Sequence, residues 1–216
     1  MGSGEIVVWG VGTTRTMRVH WTLHELGLAY ETRPIGSRTG ETRTDAFTAL
    51  NPRQKIPAVE IGDERLAESA AVTTTLLERF ASGTLIPEAG TPERALYYQW
   101  CFWIMTELDA HTLYVMRRHQ DLANLYGEAP NAIQAAREYF AWQLGVADDE
   151  IASRGPYLLG DSFTGADVLL TTCLDWALVY GMSIGDALSA YRERVTARPA
   201  YADAFALNFA ELLAAR

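Results

Sequence analysis

The change in sequence pattern near residue 90 constrains the fold of this chain more than any other feature. Before that point, short apolar runs typical of strands alternate with helical patterns, and after it only helical patterns follow. The segment between the two regions contains two glycines and a proline and indicates a domain link over 82–91. The sequence therefore predicts an α/β domain over 1–83 and an all-helical domain over 92–216.

The α/β domain is predicted to run βαβ, then a helix, then a hairpin and a final helix. A βαβ unit pairs two parallel strands through a crossover, and a hairpin added to it produces a mixed sheet. The predicted strands cover 6–9, 30–35, 58–61 and 64–67, and the predicted helices cover 15–26, 41–50 and 69–81.

The helical domain is predicted to contain five helices, which cover 93–120, 130–153, 164–180, 184–197 and 201–215. Thr164 and Asp167 form a capping box at the start of the third of these helices. The residues that follow are apolar nearly all round, which predicts a buried helix. We therefore assign this motif to folding and not to chemistry.

The charge and hydropathy of the chain argue against two classes of partner. The net charge is −9 and the isoelectric point is near 4.9, which disfavours nucleic acid or an anionic membrane as the main partner. No apolar run approaches the roughly 18 residues of a membrane span. The N-terminus lacks the basic region of a signal peptide, so none is expected.

The cysteines and histidines suggest structural roles. Cys101 and Cys173 lie in apolar helical patterns, which indicates buried, reduced thiols in a cytoplasmic protein. His20 and His24 have i,i+4 spacing but no third ligand nearby, so we expect them on a helix surface and expect no metal site.

The stretch Asn51–Glu60 carries the first functional signal. Pro57 stands directly before an alternating apolar run and, since it cannot donate to a sheet ladder, must open that strand or turn into it. Lys55 is the only lysine among the 18 basic residues. A compact, flexible ammonium is therefore favoured at this position over a generic positive charge.

A second signal follows at Glu68 and Ser69, which open a predicted helix. A helix N-terminus offers backbone N–H groups and the positive end of the helix dipole, which together bind a carboxylate. Taken alone, the pair indicates only a good helix start. Its spacing after Pro57 makes the combination of the two stretches much more specific.

Together, Gln54-Lys55-Ile56-Pro57 and Glu68-Ser69 resemble the glutathione site of the cytosolic glutathione transferases, with features of the bacterial, tau-like, theta-like and nu-like members. The resemblance implies a thioredoxin-like α/β domain followed by an all-α helical bundle. It implies that glutathione is a co-substrate, that Pro57 is cis, and that the protein is a homodimer. The residue beside Pro57 would pair with the cysteinyl part of glutathione through its backbone. The predicted glutathione-binding residues are Gln54, Lys55, Ile56, Pro57, Glu68 and Ser69.

In thioredoxin-like folds the reactive group lies at the N-terminus of the first helix, where this chain has hydroxyl groups and no cysteine. A hydroxyl that donates to the sulfur of bound glutathione favours the thiolate, as does the helix dipole. We expect Thr13 to be this donor, with Thr14 as the second candidate and Arg15 as the third. The alternative is that Thr13 or Thr14 only caps the helix.

The long helix predicted over 93–120 is aromatic on two faces, which is more than a domain core alone explains. One face would be core, and the other a subunit interface or the wall of a pocket for an apolar electrophile. The predicted pocket residues are Val11, Trp100, Ile104, Met105 and Leu108.

These features predict an enzyme, a glutathione transferase of the kind used in detoxification, which adds the glutathione thiolate to an apolar electrophile. The alternative within the same chemistry is a nu-like glutathione-dependent disulfide or peroxide reductase. An alternative of another class is a non-catalytic binding module with this fold. The sequence leaves the first two open because both need the same thiolate.

Overall fold

The computed structural model describes residues 5–214, which divide into two compact units. The first unit combines the described residues up to Ser82 with those from Thr196 onward, and the second is Gly83–Val195. The C-terminal segment thus groups with the α/β region and not with the helices that precede it. Residues 1–4 and 215–216 of the two predicted domains, including the predicted helix end at Ala215, lie outside the described residues.

The first unit contains a four-stranded mixed sheet in the order β2-β1-β3-β4. β1 (Ile6–Trp9) pairs with β2 (Glu31–Arg33) in parallel, and β3 (Ala58–Ile61) is antiparallel to both β1 and β4 (Glu64–Ala67). The predicted thioredoxin-like arrangement of a βαβ unit followed by a hairpin is confirmed, and β1, β3 and β4 have the predicted bounds.

The helices follow in chain order through both units. They are α1 (Thr14–Glu25), α2 (Asp45–Leu50), α3 (Ser69–Phe80), α4 (Pro92–Trp103), α5 (Tyr114–His119), α6 (Ala123–Tyr126), α7 (Pro130–Arg154), α8 (Gly165–Val179), α9 (Asp186–Thr196), α10 (Pro199–Asn208) and α11 (Ala210–Ala214). A 3-10 helix, Glu41–Arg43, precedes α2, and a π-helical segment, Ile104–Leu113, joins α4 to α5. Within the described residues, no helix is both long enough and apolar enough to cross a bilayer.

The helix predictions differ from the structure in several places. The helix predicted over 41–50 is divided at Thr44, whose backbone is extended, into the 3-10 helix and α2. The long helix predicted over 93–120 has the π-helical segment in its middle, and π-helices are rare enough that an apolar period does not reveal them. The last predicted helix starts earlier, at Pro199, because proline is favoured in a first helical turn, and it is interrupted at Phe209. The four-residue α6 was not predicted, since it is too short to show a period.

The sheet of the first unit is buried on both faces. Val8 and Val59 belong to a cluster with residues of α1 and α3, whereas Trp9 and Ala58 belong to a cluster with Phe47 of α2. Adjacent residues of a strand point to opposite faces, which explains why neighbours join different clusters.

In the same unit, α10 packs along α1. The Arg198 guanidinium donates to the Glu25 carboxylate from Nε at 2.7 Å and from Nη2 at 2.6 Å. The rings of Trp21 and Tyr201 meet edge to face with 5.0 Å between centroids. A bidentate ion pair and an aromatic contact of this kind fix the geometry of two helices as well as stabilising them.

In the second unit, α8 is the most buried helix, as the sequence predicts. The Asp167 carboxylate accepts hydrogen bonds from the N–H and the hydroxyl of Thr164, from the Leu158 N–H and from the Tyr191 hydroxyl. Burial raises the pKa of Asp167, and these four donors oppose the rise. The capping box therefore has the predicted structural role and also ties a loop and α9 to the start of α8.

Candidate active site

The loop between β1 and α1 lies against the predicted glutathione stretch at Ile56. A Cβ added to Gly10 would lie only 2.6 Å from Cβ of Ile56, so the two segments touch at this point. Gly10 and Gly12 have φ values of 115° and 76°, which favour glycine. The fold thus brings together two motifs that are more than forty residues apart in the sequence.

Thr13 is the N-cap of α1, and Thr14 and Arg15 are its first two residues. The Thr13 hydroxyl accepts the Thr16 N–H at 3.0 Å, and the Thr16 hydroxyl accepts the Thr13 N–H at 3.0 Å. Thr13 therefore caps the helix, as one of the two interpretations holds. Accepting an N–H occupies a lone pair and leaves the hydroxyl proton, so capping is compatible with donation to a bound sulfur.

Asn208 of α10 also binds the loop between β1 and α1, and nothing in the sequence predicted this contact. Its side chain Nδ2 donates to the Thr13 carbonyl at 3.1 Å, and its Oδ1 accepts the Thr16 hydroxyl at 2.7 Å. Its own carbonyl accepts the Gly12 N–H at 2.8 Å. A residue almost 200 positions away leaves no local signal, so only the fold shows this contact.

His20 supports the same loop and corrects the expectation that it lies on a helix surface. It is fully buried, because α1 is covered on that face by the Gly10 loop and by Tyr30. Nε2 lies 3.0 Å from the Gly10 carbonyl, which can only accept, so Nε2 carries the proton and Nδ1 accepts from the Tyr30 hydroxyl. Burial lowers the pKa of His20 to about 4 and raises that of Tyr30 to about 12, so both are neutral at pH 7.

The stretch before β3 is held by short-range contacts. The buried Asn51 donates from Nδ2 to the Lys55 carbonyl at 2.8 Å and accepts the Arg53 N–H at 3.2 Å. Gln54 donates to the Thr48 hydroxyl at 3.0 Å and has a φ of 54°, which a residue with a side chain adopts at a cost. The Lys55 side chain is exposed.

The peptide bond between Ile56 and Pro57 is cis, in agreement with the prediction. Pro57 is buried and stands directly before β3, so it opens the strand, as predicted. Ile56 is also buried, in the cluster that contains Phe47.

Glu68 and Ser69 stand at the N-terminus of α3. Glu68 is exposed and has φ 69° and ψ 106°, a conformation that is strained for any residue with a Cβ. Ser69 is buried, and its hydroxyl accepts from Nη1 of the fully buried Arg18 at 3.2 Å. Arg18 was not among the predicted site residues, and it brings positive charge from α1 to a helix start where the dipole already favours an anion.

The predicted pocket residues belong to both compact units, Val11 to the first and the other four to the second. Ile104 and Leu108 are fully buried, Trp100 is nearly so, and Val11 and Met105 are half-buried. The indole Nε1 of Trp100 is buried without a hydrogen-bond partner among the described residues. Complete burial favours a core role for Ile104 and Leu108, and the pocket itself stays a prediction.

The chain supplies no reactive thiol of its own in the described residues. Both cysteines are free and buried, as predicted. Burial raises the pKa of Cys101 to about 12, which leaves it protonated and unreactive. No group of three histidine, cysteine or acidic side chains in residues 5–214 is arranged to bind a metal ion.

Family models match both regions of the chain. The model described as "Glutathione S-transferase, N-terminal domain" matches residues 5–74, and that described as "Glutathione S-transferase, C-terminal domain" matches residues 103–199. Glutathione S-transferase 3 of Zea mays is 36% identical over 159 residues, which are 70% of this chain and 68% of that protein. Glutathione S-transferase F9 of Arabidopsis thaliana is 27% identical over 214 residues, with 92% of this chain and 95% of that protein covered.

A solved structure extends the likeness to three dimensions. The theta class glutathione S-transferase from the citrus canker pathogen Xanthomonas axonopodis pv. citri, solved with glutathione bound, superposes with a TM-score of 0.77 at 26% sequence identity. The superposition covers 93% of this chain and 97% of that one. The superposed residues therefore include both the predicted α/β domain and the predicted helical domain.

Proposed function

Because the chain belongs to the glutathione S-transferase family, we propose that it binds glutathione, ionises its thiol and adds the thiolate to an apolar electrophile. The observation that carries the proposal is the position of Thr13. It caps α1 in a loop that touches Ile56, so a sulfur held beside Ile56 and Pro57 would lie near the helix N-terminus. The described residues offer no competing nucleophilic thiol, since both cysteines are buried.

Thr13 is proposed to donate its hydroxyl proton to the sulfur. The Thr16 proton goes to an oxygen that can only accept, either Oδ1 of Asn208 or the Thr13 carbonyl. The Thr13 proton is then the one that turns from the Thr16 oxygen, 3.0 Å away, toward a thiolate. Lowering a thiol pKa from about 8.5 to about 6.5 needs roughly 2.7 kcal/mol. One charge-assisted hydrogen bond of roughly 1.5–3 kcal/mol supplies most of it.

Glutathione is proposed to lie along three segments, which are the Thr13 loop, the stretch before β3 and the N-terminus of α3. The Ile56 backbone pairs with the cysteinyl part, and Pro57 shapes the strand start next to it. The N-terminus of α3, with Glu68, Ser69 and the buried Arg18 behind it, binds the γ-glutamyl end, because that end carries both a carboxylate and an ammonium. Gln54 and Lys55 provide a polar group and an exposed cation for the remaining part of the glutathione molecule.

The finer parts of the proposal rest on the family resemblance. They are the bacterial, tau-like, theta-like or nu-like affinity, the homodimer, a cytoplasmic location and transferase chemistry of the 2.5.1.18 type. The apolar second substrate is proposed to contact Trp100 of α4 and Met105 of the π-helical segment that follows it. A glutathione-dependent disulfide or peroxide reductase would use the same Thr13 and the same thiolate.

The test is an ultraviolet difference titration of glutathione into the protein near neutral pH, with thiolate absorbance as the signal. We expect a thiolate band with the wild type, its loss in Thr13→Ala, and its retention in the matched control Thr14→Ala. Binding without thiolate would overturn the transferase mechanism, and absence of binding would overturn the assignment of Lys55, Glu68 and Ser69. A screen of electrophiles against disulfides and peroxides then separates the two reactions.

A further inference from the structure

Asn208 contacts the Thr13 loop through three separate groups, although it lies at the far end of the sequence. Its backbone carbonyl accepts the Gly12 N–H, its Nδ2 donates to the Thr13 carbonyl, and its Oδ1 accepts the Thr16 hydroxyl. The side chain is 1% exposed, so water does not compete for these bonds. Three bonds from one buried residue define both the path of the loop and its distance from α10.

The chemistry of these contacts allows only one orientation of the amide. The Thr13 carbonyl can only accept, so the NH₂ group must face it, and Oδ1 is left for the Thr16 hydroxyl. When the Thr16 proton goes to Oδ1, or to the Thr13 carbonyl 2.8 Å away, it does not point at the Thr13 hydroxyl oxygen. The Thr13 proton then points at the Thr16 hydroxyl oxygen, 3.0 Å away, and is the one that can turn toward a thiolate.

Asn208 lies on a helix, α10, that is attached to α1 within the first unit. The helix that carries it is joined to α1 by the bidentate contact of Arg198 with Glu25 and by the edge-to-face contact of Trp21 with Tyr201. These contacts lie at the other end of α10 and do not touch the loop. They therefore offer a way to weaken the attachment of the helix without altering the hydrogen bonds around Thr13.

We propose that Asn208 is a positioning residue for the reaction, which holds Thr13 so that its hydroxyl proton points at the glutathione sulfur. The inference rests on the proposed function, because it acts on the thiol that Thr13 is proposed to ionise. Asn208 does not touch the reacting atoms. Its effect is on the pKa of the bound thiol, and glutathione binding depends on the other segments.

The test compares wild type with Asn208→Asp and Asn208→Ala. Asp has nearly the same size and keeps the acceptor for Thr16 but replaces the donor to the Thr13 carbonyl with a second oxygen, which that carbonyl repels. We expect the pKa of bound glutathione to rise by about one unit, which is about a tenfold loss of thiolate below that pKa. The rate of conjugation should fall about fivefold near pH 6.5 and about tenfold well below it, and it should return toward the wild-type rate near pH 9, where the thiol ionises unaided.

Two measurements separate this role from a structural one. Affinity for S-methylglutathione, which has no ionisable thiol, should stay within about twofold of wild type, because its binding groups are unchanged. The control variant Glu25→Gln with Arg198→Met weakens α10 at its other end, and we expect lower stability with an unchanged thiol pKa. If Asn208→Asp and Asn208→Ala do not fold, Asn208→Ser, with a shorter polar side chain, takes their place.

The outcomes are distinguishable. If the wild type forms no thiolate, the proposed function fails and this inference fails with it. If the wild type forms thiolate and the folded Asn208 variants keep the wild-type pKa, only the inference is overturned. A rate loss that is equal at all pH values would likewise overturn it, since that pattern indicates general damage to the site.

Discussion

The two loops of the candidate site are held in opposite ways. The loop before β3 is fixed from within, because Asn51 binds Lys55 four residues away and Gln54 binds Thr48. The Thr13 loop has one local contact of this kind, the capping box with Thr16, and is also fixed from outside, by His20 of the following helix and by Asn208 of α10. One loop therefore depends on its own sequence, and the other depends also on the docking of distant elements.

The difference matters for function because the loops have different proposed tasks. The short-range loop presents backbone and a cation to the ligand, which needs a fixed shape. The Thr13 loop must place one hydroxyl proton, and a misplacement of that group reduces the rate even where binding is intact. Changes to the anchors of the two loops should accordingly separate binding from thiol ionisation.

The largest expected effect on stability is that of pH. Of the two loops, only the Thr13 loop is held by a titratable side chain, that of His20. His20 has a folded pKa of about 4 against an ordinary value of 6.5, so the unfolded chain binds the proton more readily between those values. Its stabilising contribution is present above pH 6.5 and is lost as pH falls toward 4. We expect unfolding free energy to drop by about 2 kcal/mol from about pH 8 to about pH 5 on this account. Urea unfolding at several pH values measures the slope.

The control for this prediction is His20→Gln, which can still donate to the Gly10 carbonyl but does not titrate in this range. Its stability should vary less with pH than that of wild type. Tyr30 stays protonated throughout, and His24, whose charge also lowers the pKa of His20, is unchanged in the variant. Equal slopes for the two proteins would show that His20 is not the group responsible.

An effect of similar size is expected for Asn51→Ala, which removes two of the contacts that shape the short-range loop. Loss of the two hydrogen bonds that the buried Asn51 side chain makes to the backbone should reduce unfolding free energy by about 1–3 kcal/mol. Glutathione affinity should fall, whereas the pKa of the thiol that still binds should not change. Calorimetric titration and the thiolate signal measure the two effects. A raised thiol pKa would contradict the proposal that the loop before β3 affects glutathione binding and the Thr13 loop affects thiol ionisation.

The sequence predicts the short-range parts of the site well, for a physical reason. A proline before an alternating apolar run restricts a strand start locally, and β3 and β4 have the predicted bounds. The start of α3 at Ser69 follows in the same way, whereas the cis bond at Pro57 was expected from the resemblance to the glutathione transferases. Asn51 was within reach of sequence reasoning too, because it lies only four residues from the carbonyl that it binds.

The long-range parts could not be predicted from one sequence. His20 is polar and has a histidine one turn away, a pattern that favours a surface, but its burial is decided by the loop that covers it. Asn208 sits in an apolar helix with no motif around it, and its role follows from where α10 docks. The π-helical segment, Ile104–Leu113, contains no Phe, Trp or Tyr, so the aromatic pattern that precedes it gave no sign of the π-helical turns.

The smallest effect on stability is expected at Glu68, which tests the third segment of the site. Glycine adopts a φ of 69° without strain, and this gain is offset by the greater freedom of glycine in the unfolded chain. We expect Glu68→Gly to change unfolding free energy by less than about 1 kcal/mol. Glutathione affinity should nevertheless fall about tenfold or more, because a charged hydrogen bond to the γ-glutamyl end is lost. Such a split would show that the Glu68 side chain serves binding and contributes little to stability, and unchanged affinity would remove Glu68 from the site.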